Sequence, residues 1–487
     1  MLELPIQSIE GGFLKILTKR DLRKIHEATL DVLENVGVTI YEKEALDLLR
    51  GVGANVDNEN KIVKIPRYLI EEAIKKSPNS IRLCGRNPSN DIILEGRKVY
   101  TAGGADGIYV IDLESGNLRL ATLRDLQDLT RLQDALDNIH AIMGIVNPSD
   151  VSPIGVDRLR CCELIKNTEK HILRDAQGSD GVKDQIEMAA MVVGSREELK
   201  KRPIISFVDC TTSPLKHEKI NTEVLIEVAK NSIPVVVESD VVAGATAPVT
   251  MAGALVVQNA EVLSGILIAQ LVNPGTPVIY GNMSSIMDMR TANVALGSPE
   301  LGIIQVITAQ LCQEFYEIPF MGCGGISDSK STDAQASLEK TLTLAQAALA
   351  GTNLIHEMAG MLDSLFTVSY EQVVIDDEIM GAIYRILKGT KVTDETLAID
   401  VIADVGPLGS HFLTKDHTRK FLRQEQWIPG ILIREKRESW ERKGSKSMRE
   451  MAREKAKKIL KEHWPEQLEK DLVFRMEEIV KKALKKK

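Results

Sequence analysis

Pro234-Val-Val-Val-Glu-Ser239 is an apolar run that ends in a carboxylate and a hydroxyl, and its reading decides the fold. Consecutive β-branched residues leave neither face of the strand polar, so both faces need cover, as in the parallel sheet of an α/β protein. Outward from it lie seven more runs of the same kind: Val99 to Ala102, Ile139 to Val146, His171 to Ala176, Ile204 to Asp209, Pro277 to Asn282, Ile318 to Cys323 and Asn353 to Glu357. Each precedes a longer amphipathic stretch, and a spacing of roughly thirty to forty residues suits repeated strand-plus-helix units. Eight units predict an α/β fold, a (β/α)8 TIM barrel, as the catalytic domain over residues 98–433. A doubly wound open sheet is the alternative, but no GxGxxG follows the first strand.

The flanks read differently. Residues 1–97 predict a mostly helical N-terminal cap. Thr18-Lys-Arg-Asp21 caps a helix with Leu22, Ile25, Ala28, Val32 and Val36 at helical spacing, a short hairpin lies between Ala54 and Val63, and a second helix runs from Pro66 to Lys76. Residues 434–487 are dense in Lys, Arg and Glu, with Trp440 and Trp464 as apolar anchors, and predict a charged, solvated helical C-terminal extension.

In 487 residues, 61 Lys and Arg stand against 69 Asp and Glu, a formal net charge of −8. That balance predicts no attraction to nucleic acid or anionic lipid. Apolar runs such as Ile233 to Val237 are too short to cross a bilayer, and Met1-Leu-Glu-Leu-Pro does not read as a signal peptide, so no membrane partner is expected and the expected location is cytoplasmic. The cysteines at 84, 161, 162, 210, 312 and 323 lack CxxC pairing and read as reduced thiols.

In a barrel, catalytic groups belong where strands end and βα loops begin. The strand ends here offer Tyr100 with Gly103-Gly104 and Asp106, Asn147, Asp175 with Gln177, Asp209 with Cys210, Glu238 with Asp240, Tyr280 with Asn282, and His356 with Glu357. The loop Gly322 to Gln335 adds glycines that let backbone approach a ligand, and charge from Asp328, Lys330 and Asp333. Each has a structural reading beside the functional one. Asp333 suits a helix N-cap, Asp328 and Lys330 an ion pair closing the loop, Glu238 or Asp240 a helix cap, and His356 a core histidine satisfied by its neighbours. As a functional group, a neutral His356 orients a carboxylate or exchanges a proton. Cys210, Cys323 and His356 are scattered singles, and no metal is expected.

Three stretches carry a resemblance. Gly324-Gly-Ile-Ser-Asp-Ser-Lys-Ser-Thr-Asp-Ala-Gln-Ala336, Leu354-Ile-His-Glu-Met-Ala-Gly360, and Gly406-Pro-Leu-Gly-Ser-His-Phe-Leu-Thr414 with His417 resemble the trimethylamine methyltransferase superfamily. Tyr100-Thr-Ala-Gly-Gly-Ala-Asp106 agrees. The resemblance implies a (β/α)8 barrel that methylates the Co(I) corrinoid of a small partner protein, with no tightly bound cofactor of its own. The founding members carry pyrrolysine near the Asp328 to Gln335 region, whereas this chain has only standard residues. The resemblance therefore points to the branch without pyrrolysine, whose substrates are quaternary amines, glycine betaine first among them. Trimethylamine or another methylamine, a barrel lyase using Lys330, and a betaine-binding protein are the alternatives.

Under that reading Tyr100 and Tyr280 line the ammonium head with Phe207 behind them, each ring contributing cation–π attraction of about 0.5–2 kcal/mol. His356 fixes a betaine's carboxylate, Glu238 favours the cation, and Gly103, Gly104 and Asp106 shape the pocket. His356, Glu238, Asp328 and Gln335 make up the catalytic set, and Gly324, Gly325 and Lys330 face the corrinoid. The expected partners are a cognate corrinoid protein, the small amine and further copies of the chain in a homo-oligomer.

Overall fold

The computed structural model describes residues 8–104, 106–409 and 411–485. Eight strands alternate with eight helices: β1 Lys98–Thr101, β2 Ala141–Ile142, β3 His171–Arg174, β4 Ile205–Cys210, β5 Val235–Ser239, β6 Val278–Asn282, β7 Phe320–Cys323 and β8 Leu354–His356. The helices that follow them in turn are α1 Leu123–Asp134, α2 Val156–Asn167, α3 Gly178–Val193, α4 Lys219–Lys230, α5 Met251–Val272, α6 Pro299–Leu311, α7 Ala334–Ala350 and α8 Tyr370–Leu387.

The strands form one strongly curled nine-stranded sheet in the order Ile9–Glu10, β1, β8, β7, β6, β5, β4, β3, β2. All neighbours are parallel except Ile9–Glu10, which runs antiparallel along β1. The curl brings β2 back to β1. Ala102 bridges Ala141 in parallel, His140 N donates to Thr101 O at 2.9 Å, and Gly103 N donates to Ala141 O at 3.0 Å. A methyl on Gly103 would occupy the place of the Gln133 amide oxygen, 1.5 Å away.

Alternation along each strand sorts side chains to two sides. Val236, Ile279, Met321, Leu354 and Tyr100 share an interior cluster with Ile81, Leu83, Ile92 and Leu94 of the hairpin Ser80–Leu83/Ile92–Glu95, which plugs the end where strands start. The intervening residues, among them Phe207, Val235, Val237, Tyr280 and Phe320, pack outward into the helix layer.

Helix α5 is 22 residues long and by length and composition alone could cross a membrane, a segment that the short apolar runs of the sequence do not reveal. It lies instead against β5, β6, α4 and the first N-terminal helix. Glu261 at its middle is fully buried and accepts from Thr211 Oγ1 (2.9 Å), Ser213 Oγ (2.9 Å), Leu215 N (2.7 Å) and Ser239 Oγ (2.6 Å). A carboxylate held by four donors inside the fold makes α5 a core helix.

The N-terminal region has the helix Lys19–Asp31, capped by Thr18, a second at Arg67–Lys76, and the antiparallel pair Asn55–Val56/Ile62–Lys64. It also contains the plugging hairpin, which the reading of a mostly helical cap omits. After α8 come three short helices, α9 Asp394–Leu397, α10 Ile399–Val405 and α11 Asp416–Glu425, none with a buried residue. The C-terminal extension is less solvated than its charge suggests. Helix Met448–Glu462 packs on α8 and α1, and Lys470–Leu484 on α2 and α3, burying Ala452, Ala456, Met476 and Val480. The Arg131 guanidinium lies 3.5 Å from the centre of the Trp464 ring. A charged sequence packs this way because Lys and Arg lay apolar stems on a surface while their heads stay wet.

Candidate functional site

At the carboxyl ends of β5 and β8 the interior positions pass from apolar to charged. Glu238 follows Val236 and His356 follows Leu354 at the same inward parity, so both side chains enter the curl. His356 Nε2 stands 3.1 Å from Glu238 Oε1, and Nδ1 stands 3.3 Å from Glu357 Oε1. All three residues are buried. Burial disfavours a charged imidazole, yet the carboxylates of Glu238 and Glu357 overcome it and push His356 up to about 10. Burial raises the Glu357 carboxyl against the pull of His356. Glu357 also adopts φ +61, a strained backbone for a side chain of its size, held at the strand end.

The ion pairs are off the angles of a good hydrogen bond. Glu238 Oε1, both His356 ring nitrogens and Glu357 Oε2 keep unspent bonding capacity, as do both oxygens of Asp209 on β4. Burial alone pushes Asp209 up to about 8. Asp240 is reached by solvent from the mouth but is ringed by protein. That surrounding, with the like charges of Glu238 and Glu357, pushes it up to about 8, while His356 pulls the other way.

Half-buried Met143, Val208, Cys210 and Met283 give this end of the interior an apolar wall. Gly281, opposite Glu238 in the register, leaves room for it: a Cβ there would lie 2.7 Å from Glu238 Cβ. Across the mouth Arg160, nearly fully buried, pairs with half-exposed Asp106 and stands 3.6 Å from Asp175 Oδ1, which Arg174 Nη2 contacts at 2.5 Å. The thiols of Cys210 and Cys323 are pushed well up by burial and by the Glu238 carboxylate, so both stay protonated. A separate cavity of about 470 Å³ opens at the other end, lined by Glu10, Glu95, Lys98 and Pro319 among others. It lies where strands begin, the end that serves stability rather than chemistry.

Comparison with known proteins places this geometry. Residues 4–486 match the family described as trimethylamine methyltransferase (MTTB). The chain belongs to the trimethylamine methyltransferase family. It is 40% identical over 484 residues to trimethylamine methyltransferase MttB of Desulfitobacterium hafniense (strain DSM 10664 / DCB-2), covering 99% of this chain and 97% of that one. It is 37% identical over 427 residues to glycine betaine methyltransferase of D. hafniense (strain Y51), covering 87% and 88%. With MttB of Methanosarcina barkeri (strain Fusaro / DSM 804) the identity is 35% over 485 residues, covering 98% and 96%. The monomethylamine methyltransferase MtmB of M. barkeri superposes with a TM-score of 0.55 at 12% identity over 92% of this chain and 88% of that one, a likeness of fold alone. Membership makes this chain a methyltransferase.

The stretches that begin at Tyr100, Gly324 and Leu354 sit around the mouth, though several residues singled out in them are scaffold. The stretch from Gly406 with His417 lies instead in the exposed segment after α8, His417 Nε2 standing 3.0 Å from the Glu395 carbonyl oxygen. Asp328 accepts from Leu296 N (3.1 Å), Gly297 N (3.0 Å) and Ser364 Oγ (2.7 Å), tying loops together. Lys330 pairs with Asp363 at 2.7 Å, not with the Asp328 carboxylate, and Nζ also donates to the Asp328 carbonyl. Asp333 caps α7, as its spacing indicates. Gln335 is exposed and donates to Glu339 at 2.8 Å. Gly324 and Gly325 are buried between β8 and α7 and so do not face an approaching macrocycle. Gly325 takes φ +84, and a Cβ there would press on the Met358 carbonyl oxygen, 2.6 Å away. Lys340 and Asp376, both fully buried and 2.9 Å apart, hold this loop to α8, with Lys340 also donating to Gly325 O and Asp376 accepting from Gly360 N at 2.7 Å. Ala105 and Ser410, parts of the quoted stretches, lie outside the described residues.

The aromatic cage is not assembled. Tyr100 pairs with Leu354, one inward position short of His356, and packs on the plugging hairpin. Tyr280 points outward and donates to Asn259 Oδ1 at 3.1 Å on α5, and Phe207 is likewise in the helix layer. Nor is His356 a neutral imidazole free to grip a carboxylate, since its flanking acids charge it and would repel a third. Gly104 keeps its place, because a Cβ would meet Met361 Sδ at 2.7 Å and Ile145 Cγ1 at 2.8 Å. Met143, Val208, Met283, Gly281, Arg160 and Arg174 were not singled out from sequence. Inward parity at the strand ends is the signal that finds Val208 and Gly281, whereas nothing local marks Arg160 on α2.

Proposed function

We propose that this protein transfers a methyl group from a small quaternary amine, glycine betaine or a related betaine, to the Co(I) corrinoid of a partner protein. One observation carries the reading. Even with Asp240 protonated, the carboxyl groups of Asp106, Asp175, Glu238 and Glu357 outnumber the cations His356, Arg160 and Arg174 around a mouth walled by Met143, Val208 and Met283. A trimethylammonium head has no N–H and donates no conventional hydrogen bond. It is held by apolar contact in a net negative field, and this recess supplies both without aromatic rings.

The chemistry asks for little beyond placement. One C–N bond breaks with its electron pair going to nitrogen, which leaves as a neutral tertiary amine. The methyl carbon takes a pair from Co(I), giving methyl-Co(III). No proton need be donated, which suits a His356 locked between two carboxylates as a charge-fixing group. The chain's own work is to aim one N–CH3 bond out of the mouth and to exclude water. Solvent access to Asp106, Asp175 and Asp240 supports a recess open on the side where the acceptor must approach. We read the curled sheet as a complete (β/α)8 barrel over residues 98–433, a reading supported by the Ala102–Ala141 bridge and the two hydrogen bonds beside it.

A tertiary methylamine is the second reading, favoured by the 40% identity to the trimethylamine enzyme of D. hafniense. Mixing the purified protein with free Co(I)alamin and, separately, glycine betaine, proline betaine, carnitine and trimethylamine, while following the visible spectrum, tests both. Methyl-Co(III) is expected with a quaternary amine. Its formation with trimethylamine alone would establish the second reading, and none from any substrate would end both.

A further inference from the structure

Helix α5 carries Glu261 at its middle without solvent exposure, and among the described residues no Lys, Arg or His pairs with it. By contrast, the fully buried Asp376 has Lys340 at 2.9 Å. A buried carboxylate without a cation is costly, and here only the hydroxyls of Thr211, Ser213 and Ser239 and the N–H of Leu215 offset it. Neutral donors satisfy the oxygens but leave the net charge in place, so its field extends beyond the hydrogen bonds.

Those donors lie beside the site. Cys210 and Glu238 are register partners at the carboxyl ends of β4 and β5, and Thr211 and Ser239 are the residues that follow them. Thr211 N donates to the Glu238 carbonyl at 2.8 Å, and the Ser239 carbonyl accepts from Met283 N at 3.1 Å. At the outward parity the Thr211 and Ser239 hydroxyls both reach Glu261 Oε2, at 2.9 and 2.6 Å, while Glu238 turns inward to His356. Ser213 Oγ and Leu215 N tie the β4–α4 loop to the same carboxylate. The charge is also felt at the mouth: burial and Glu238, then Glu357 and Glu261, push the Asp240 carboxyl up against the pull of His356.

We propose that Glu261 is a positioning residue of the methyl-transfer site: it fixes the backbone on both sides of Glu238 and adds a negative charge behind the recess that favours a cationic substrate. The second action rests on the reading of the substrate as a quaternary amine, and the first does not.

Two variants separate the actions. Thr211→Val with Ser239→Ala keeps the charge and removes two tethers. Its His356 ring resonances should titrate at a lower pH than in wild type, because Glu238, the larger support of the imidazolium, is no longer held. Glu261→Gln keeps the shape and removes the charge. In calorimetric titrations it should bind choline about ten-fold more weakly, while binding of the uncharged carbon analogue 3,3-dimethylbutanol stays within two-fold, a split that loss of structure alone would not produce. Should Glu261→Gln fail to fold, Glu261→Leu combined with Thr211→Val and Ser239→Ala leaves fewer groups unpaired and serves the same comparison. Variants that lose only thermal stability, with the His356 titration and the choline to dimethylbutanol ratio of wild type, would overturn the proposal and make Glu261 scaffold. Failure of the wild type to bind choline would overturn the field and the quaternary-amine reading together, with the tether still judged on the His356 titration.

Discussion

His356 Nε2 stands 3.1 Å from Glu238 Oε1 while Glu357 Oε1 stands 3.3 Å from the other ring nitrogen, so one imidazolium holds two carboxylates together at the mouth of the curled sheet. Buried like charges repel strongly in a low-dielectric interior, and a cation between two carboxyl groups relieves that repulsion. The negative field of the recess depends on that arrangement.

Glu238→Gln removes the larger support of the imidazolium. The His356 pKa should fall from about 10 toward its ordinary value, visible in the pH titration of its ring resonances. The KM for a quaternary amine should rise about ten-fold or more, corresponding to ~1.4 kcal/mol of lost attraction. An unchanged titration would break the link between the two residues.

The pH dependence of stability follows from raised groups, among them His356, Asp240 and Asp209, the last acting in the same direction and over the same interval as Asp240. His356 binds its proton more tightly folded than unfolded, so it stabilises fully below about 6.5 and loses that contribution as pH climbs toward about 10. Asp240 stays protonated in the fold up to about 8 while its unfolded form ionises near 4, so stability also falls across that interval. Thermal unfolding between pH 6 and 10 should show a steadily decreasing Tm, and His356→Asn should flatten the alkaline part of the slope.

Lys340→Met leaves the Asp376 carboxyl buried beside an apolar chain. A cost of about 3–5 kcal/mol is expected, read as a lower denaturation midpoint. Adding Asp376→Leu should recover much of it, since an apolar pair of similar volume replaces an ion pair without orphaning a charge. A double variant worse than the single would contradict this.

Tyr280→Phe loses hydrogen bonds to Gln258 and Asn259 in the helix layer and touches no recess atom. Stability should fall by about 1–3 kcal/mol, with the KM for the amine unchanged within two-fold. A large KM effect would return the ring to the site.

Gly281→Ala puts a methyl 2.7 Å from Glu238 Cβ and 2.6 Å from Val236 Cγ1. Turnover should drop by about ten-fold or more, through displacement of Glu238, and steady-state kinetics at saturating amine would show it. Wild-type turnover would mean that the carboxylate's position matters little.

Much of the architecture was legible in the residues. Runs such as Pro234–Ser239 and Ile204–Asp209 fall on β5 and β4, and Thr18 and Asp333 cap the helices their spacing announces. These signals are local: apolar periodicity, β-branching and caps act within a few residues and survive without knowledge of neighbours. The position of Glu238 and His356 at strand ends was equally readable, because the chemical end of such a sheet is the carboxyl end.

What the sequence determined by itself was therefore the strand-and-helix rhythm, the family stretches and the short list of polar strand ends. Only the tertiary structure decided which of those ends face one another. In a sheet buried on both faces the apolar run is continuous, so composition does not mark inward from outward, and a shift of one residue exchanges the two. Tyr280 and Phe207 fall on the helix side for that reason, while Glu238 and His356 fall inside. The charge on His356, and the negative recess around it, exist because strands β5 and β8, more than a hundred residues apart in the chain, close to about 3 Å at their side chains.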